Sequence, residues 1–148
     1  MPHFSLSFDG GGPLLRMVVA VSDARALALQ TAGKAIPQAQ VVTALVDTGA
    51  SSTCIDPAIL QALELTATGS CDVHTPSTAG APAKLEQYDV GLMIRGSDAS
   101  QSPLIFPVMP VIATPLSPQG IQALIGRDLL AHCVLHYNGS TGLFTLAF

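Results

Sequence analysis

Leu45-Val46-Asp47-Thr48-Gly49-Ala50 is the stretch on which the fold turns. An apolar run, Ala39 to Val46, reads as a strand and carries the chain into Asp47. The strand holds that carboxyl where water is scarce. Gly49 has no Cβ, so the chain can turn tightly and backbone can approach a ligand. Thr48 supplies a hydroxyl able to brace the turn. Small residues follow, Ala50-Ser51-Ser52-Thr53, and the chain returns as a short strand to Ile55. A strand-ending Asp that merely caps a turn has the same tripeptide, so the context has to carry the argument.

Further along, Asp56-Pro57 is a helix start. Asp caps the first free amides and Pro suits the first helical position. Ile59, Leu60 and Leu63 give that helix one apolar side. Upstream, Phe4–Phe8 and Leu14–Val21 read as strands around a glycine turn. Ser22–Pro37 reads as a connection, because Gly33 and Pro37 break any long helix. Cys71–Thr75 and Lys84–Ile94 read as strands joined by a loop over Pro76–Pro82. Leu104–Val111 reads as a strand, and Pro107 and Pro110 assign it to an edge. Leu124-Ile125-Gly126-Arg127-Asp128 leads into a short helix over Leu129–Cys133. A hairpin across Asn138-Gly139 then closes the chain, pairing Val134–Tyr137 with Leu143–Phe148. Many short strands, one or two short helices and no repeat or linker predict a single mostly-β domain over residues 1–148.

Composition narrows the function. Hydrophobic residues make up 49% and charged residues 11% of the 148-residue chain, which excludes a disordered polymer. Six basic residues are scattered through a chain of net charge −4, so no basic stripe exists for nucleic acid. Mean hydropathy of +0.48 implies covered sheet faces or a surface buried against another chain. No run approaches the roughly 18 apolar residues of a spanning helix. The first residues carry neither a basic start nor an apolar helix, so a soluble, cytoplasmic domain is expected. Cys54, Cys71 and Cys133 are odd in number and widely spaced, which suits reduced thiols better than a disulfide framework. No metal is expected: there is no CxxC pair, and His132 and His136 straddle a helix end. Gly10-Gly11-Gly12-Pro13 lacks the residues of a phosphate loop, and Ser51 and Ser52 lack a nucleophile elbow.

Taken together, Leu45–Ala50 and Leu124–Asp128 resemble the retropepsin family of single-lobe aspartic proteases, and Lys84–Val90 looks like the strand leaving that family's flap. The resemblance runs from Leu14 to Phe148. It implies a closed β-barrel of the acid protease type. It implies an aspartic endopeptidase without cofactor, in which Asp47, with Thr48 and Gly49, forms half of a catalytic site and a second copy supplies the other Asp47. Peptide or protein would be the substrate. Ala50, Leu45, Leu124 and Gly80 would contact it, Gly80 from the flap. Gly126, Arg127 and Asp128 would be structural. Phe4–Phe8 and Leu143–Phe148 fit the strands that interleave in such homodimers. A non-catalytic peptide-binding or dimerisation module on the same fold is the competing reading. Viral members often carry an acid directly after the Ala, as the arginine's partner. Ser51 stands there instead, so Arg127 needs a backbone carbonyl or Asp56.

Overall fold

Period-two burial shapes most of the chain. The computed structural model describes residues 1–73 and 81–148. Its elements in order are β1 (His3–Ser7), β2 (Leu14–Val21), α1 (Asp23–Thr31), β3 (Gln40–Val46), β4 (Cys54–Ile55) and α2 (Pro57–Ala62). Then come β5 (Gly69–Val73), β6 (Ala83–Ile94), β7 (Leu104–Ala113), β8 (Ala123–Ile125), α3 (Arg127–Leu130), β9 (Val134–Asn138) and β10 (Leu143–Ala147). On β2, Leu15, Met17, Val19 and Val21 are buried while Arg16 is exposed. On β3, Val42, Ala44 and Val46 point inward in the same way.

These strands close a barrel. The sheet order is β2-β3-β8-β4-β7-β6-β5, and a further pairing of β2 with β6 joins the ends of its first six strands. Closure removes the exposed backbone edges of an open sheet. The unusual member is β8. It runs parallel to β3 and antiparallel to β4, lying between two strands that are neighbours in sequence. A separate three-stranded sheet, β1-β10-β9, packs its Phe4, Phe144 and Leu146 into the same core. Phe4 meets Phe144 and Phe148 edge-on, at ring centroid distances of 6.2 and 6.4 Å. Each fully buried aliphatic or aromatic side chain stabilises the fold by roughly 1.5–3 kcal/mol relative to exposure.

Three expectations change. Ser22–Pro37 is not an irregular connection: its first half forms α1, because the Ser22 hydroxyl accepts from Arg25 N at 3.3 Å and caps nine helical residues. Gly33, at φ 66°, then lets the chain leave, as a helix breaker should. The described residues therefore hold three α-helices rather than one or two. Second, β7 is interior, not an edge. The prolines are tolerated because the register slips between Val90 and Leu92 of β6, leaving Pro107 in a bulge, and because β4 pairs only with Ile112 and Ala113 beyond them. Third, β1 and β10 pair with each other inside one chain. The expected strand over Cys71–Thr75 is β5, ending at Val73. The rest of it and the flap expected over Pro76–Pro82, as far as Gly80, lie outside the described residues. No helix among the described residues is long and apolar enough to cross a membrane.

Asp56 ties the helical and β parts together. Its Oδ1 accepts from Ala58 N at 3.0 Å, capping α2. Oδ2 accepts from Leu116 N, Ser117 N and Ser117 Oγ, each at 2.8 Å. Burial alone would raise this carboxyl, but those four bonds outweigh it and hold the pKa at about 2, against an ordinary 3.8. A folded-state pKa below the unfolded one gives stability that is complete above about pH 4 and is lost as the pH falls through 2. Asp56→Asn should therefore lower unfolding stability by about 2 to 3 kcal/mol at neutral pH in urea titrations. The gap from wild type should narrow between pH 4 and pH 2, and a gap that stays constant would assign the loss to packing instead.

Candidate active site

Asp47 stands at the end of β3, where the strand can no longer alternate. Its N–H still donates to Ile125 O at 3.0 Å, extending the parallel pairing with β8 by one residue. The chain then turns. Ala50 N donates to Asp47 O at 3.2 Å, and Gly49 N donates to Asp47 Oδ1 at 2.8 Å. A Cβ on Gly49 would come to 3.0 Å from that same oxygen, which explains the glycine. Asp47 is half-buried, Thr48 and Gly49 are exposed, and Ala50 is half-buried. Oδ2 of Asp47 makes no hydrogen bond among the described residues, so it faces outward as a free acceptor.

The second motif clamps this turn from below. Gly126 lies so close to the segment leading into β4 that a Cβ would sit 2.5 Å from Ser52 C and 2.6 Å from Ser52 O. Gly126 N donates to Thr53 Oγ1 at 3.2 Å, and Arg127 N donates to Ala50 O at 2.9 Å. Asp128 accepts from Thr53 N through Oδ2 and from Thr53 Oγ1 through Oδ1, both at 2.8 Å. Its Oδ1 also accepts from Leu129 N at 2.8 Å. Arg127 Nη1 donates to the carbonyls of Thr48, at 3.0 Å, and Gly49, at 3.2 Å. The arginine's partner is thus the backbone of the aspartate turn. Asp56 is engaged elsewhere.

Two hollows meet at Asp47. One, of about 440 Å³, is lined by Asp47, Gly49, Ala50, Ser52, Ile112 and Leu124, among others. The other, of about 400 Å³, is lined by Pro13, Val46, Asp47, Thr48, Leu135 and Tyr137. Ala50 and Leu124 both line the larger hollow. Leu45 lines neither hollow, and its Cδ1 instead packs 3.1 Å from where a Cβ on Gly12 would stand. Gly80 lies outside the described residues.

Sequence reasoning missed Thr53, whose buried hydroxyl joins both motifs. A hydroxyl residue placed between the aspartate turn and the apolar Ile55 was the available signal. It also missed the far wall of the larger hollow, Val73, Leu85 and Thr114, because that wall comes from strands distant in sequence. Cys54 lines this hollow as a free thiol, its Sγ donating to Ser52 O at 3.6 Å, and burial pushes its pKa up. No group of three or more potential metal ligands occurs among the described residues.

The closed barrel, with its aspartate turn held by Gly126-Arg127-Asp128, has the retropepsin-like fold. The aspartyl protease family profile matches residues 33–129, more than half of the 148-residue chain, and the chain belongs to that family. Among solved structures it is similar to a retropepsin-like aspartic protease from Rickettsia conorii, at 14% identity and a TM-score of 0.57, covering 99% of this chain and 90% of that one. It also matches EIAV protease complexed with the inhibitor HBY-793, at 15% identity and a TM-score of 0.44, covering 82% and 86% of the two chains. No curated protein sequence matches it.

Gly126→Ala should force Ser52 and Thr53 away and destabilise the fold by about 3 kcal/mol, seen as a lower thermal midpoint. Arg127→Met removes only the bonds to Thr48 and Gly49. It should speed amide hydrogen exchange at residues 47–52 while the barrel strands keep their protection. Equal acceleration throughout the barrel would make Arg127 a global rather than a local support.

Proposed function

We propose that the chain is an aspartic endopeptidase that hydrolyses peptide bonds with an activated water, its dyad formed by Asp47 from two copies. The observation that carries this is Asp47 itself. It is one half-buried carboxylate with a free outward oxygen, fixed by its own turn, between two hollows. Other nearby carboxylates are committed. Asp128 is bound to Thr53 through both oxygens, and Asp56 is bound through four donors. A water-activating pair needs a second carboxylate, and a second copy is the economical source.

Two like charges a few ångströms apart cannot both ionise cheaply, so such a pair would share one proton. The ionised Asp47 takes a proton from the bound water, whose oxygen attacks the peptide carbonyl carbon. The protonated Asp47 gives a hydrogen bond, then its proton, to the carbonyl oxygen. Collapse of the tetrahedral species breaks the C–N bond, and a proton passes to the leaving nitrogen. The larger hollow, walled by Leu124 and Ile112, would take an apolar side chain of an extended peptide. The smaller one opens toward β9, where Tyr137 is 53% exposed. That apolar margin beside Asp47 suits contact with the second copy.

Asp47→Asn should reduce cleavage of a casein or peptide-library substrate by at least about 10³-fold without changing the thermal midpoint. An excess of the Asn variant mixed with wild type should poison activity by forming mixed pairs. Specific activity should fall on dilution, and the pH profile should be bell-shaped because one proton must be present and the second absent. Undiminished cleavage by the variant would sink the assignment. Activity strictly proportional to enzyme at every dilution would leave the aspartate but remove the second copy.

A further inference from the structure

Away from Asp47 lies an open groove of about 570 Å³ between β1 and the outer face of β2 and β6. None of its lining residues lines either hollow at Asp47. Its floor is apolar: Val18, Met93 and Val41, the last 54% exposed. A second hollow, of about 270 Å³, shares Val18 and Met93 and prolongs the apolar strip toward Ile105, which is 55% exposed.

Two arginines stand at one end. Val18 pairs with Met93, and Val19 with Leu92. Continuing that register two residues places Arg16 across from Arg95, and both line the groove. Like charges set opposite each other on neighbouring strands are unfavourable. Neither has an ion-pair or hydrogen-bond partner among the described residues, whereas Arg127 has two. Asp98, in the adjoining loop, accepts from Ser100 N instead. In a chain of net charge −4, two of its six basic side chains converge here unneutralised.

The groove's rim is an unpaired strand edge. Phe8 N donates to Gly142 O at 2.8 Å and Phe148 N to Pro2 O at 3.0 Å. These bonds fix the alternation of β1 against β10, so the N–H and C=O of His3, Ser5 and Ser7 point the other way. His3 is already served on that side: its N–H donates to Gln101 Oε1 at 2.9 Å and its carbonyl accepts from Ser97 N at 3.1 Å. Ser5 lines the groove, and its outward backbone has no partner among the described residues.

We infer that this groove is a second peptide-binding site, which takes an extended apolar segment carrying carboxylates by adding it to the β1 edge and pairing its acids with Arg16 and Arg95. Strand addition supplies backbone bonds, the Val18–Met93 floor accepts alternate side chains, and the arginines set direction. A fatty acid would satisfy the floor and the charge but not the strand edge. The site does not depend on the chemistry at Asp47.

The test uses a fluorescein-labelled peptide of about ten residues, alternating Val and Thr with Asp-Glu at one end. A control peptide carries Lys-Arg there. Anisotropy is read on the Asp47→Asn chain so that neither probe is consumed. The acidic probe should bind and the basic one should not. Arg16→Ala with Arg95→Ala should weaken binding by about tenfold or more, and raising salt from about 0.05 M to about 0.5 M should weaken it several-fold. Arg16→Glu with Arg95→Glu should switch preference to the basic probe, a gain that an unfolded variant cannot show. Equal binding of both probes, or binding unchanged by the alanine pair, overturns the inference. So does displacement of the probe by laurate at equal charge, or self-association in sedimentation that the alanine pair abolishes, since each names a different occupant.

Discussion

Between Gly126 and the Ser52 carbonyl there is no room for a methyl group, and that closeness governs the rest of the site. It lets β8 lie between β3 and β4, which brings Asp128 beneath Thr53 and Arg127 beneath the carbonyls of Thr48 and Gly49. The turn at Asp47 is then held from three directions: by its own side chain, by a cation on its carbonyls, and by a buried carboxylate on the strand that follows. Precise placement of a reacting group needs neighbours that are themselves fixed. Here the neighbours are fixed by hydrogen bonds between 2.8 and 3.2 Å long.

Much of this was legible in the sequence because the two motifs are local. Asp47-Thr48-Gly49 and Gly126-Arg127-Asp128 each carry their own turn chemistry, and Asp56-Pro57 caps a helix as its residues dictate. What escaped was set by tertiary pairing. The prolines of β7 argue for an edge when read alone, yet a bulge in the β6 register accommodates them. Ser22 caps a helix whose only buried residue is Leu29, too faint an apolar pattern to stand out beside Gly33. Leu45 is apolar and next to the aspartate, but its side chain packs against Gly12, a contact set by the pairing of β2 with β3. The role of Thr53 is invisible without knowing that Asp128 lies beneath it, across 75 residues of sequence.

The distribution of polar groups is equally selective. Asp56, Asp128 and Thr53 are the polar side chains that bind the core together, and each has its acceptors or donors filled. No buried side-chain nitrogen or oxygen among the described residues lacks a partner. Among the groups left unpartnered at the surface are the outward oxygen of Asp47, the backbone of Ser5 on β1, and the guanidinium groups of Arg16 and Arg95. With the described interior satisfied, groups of this kind are where a ligand can gain new hydrogen bonds.

The insertion of β8 also orders events in time. β3 and β4 leave a gap that only residues 123–125 fill, and the last bonds to the aspartate turn come from residues 127 and 128. Local helices such as α1 and α2 can form early, whereas contacts this distant along the chain form late. During synthesis, a chain that has not yet emerged past α3 has an aspartate but no rigid turn to hold it. The geometry around Asp47 is thus a product of nearly finished folding, and an incomplete or locally opened chain loses it first.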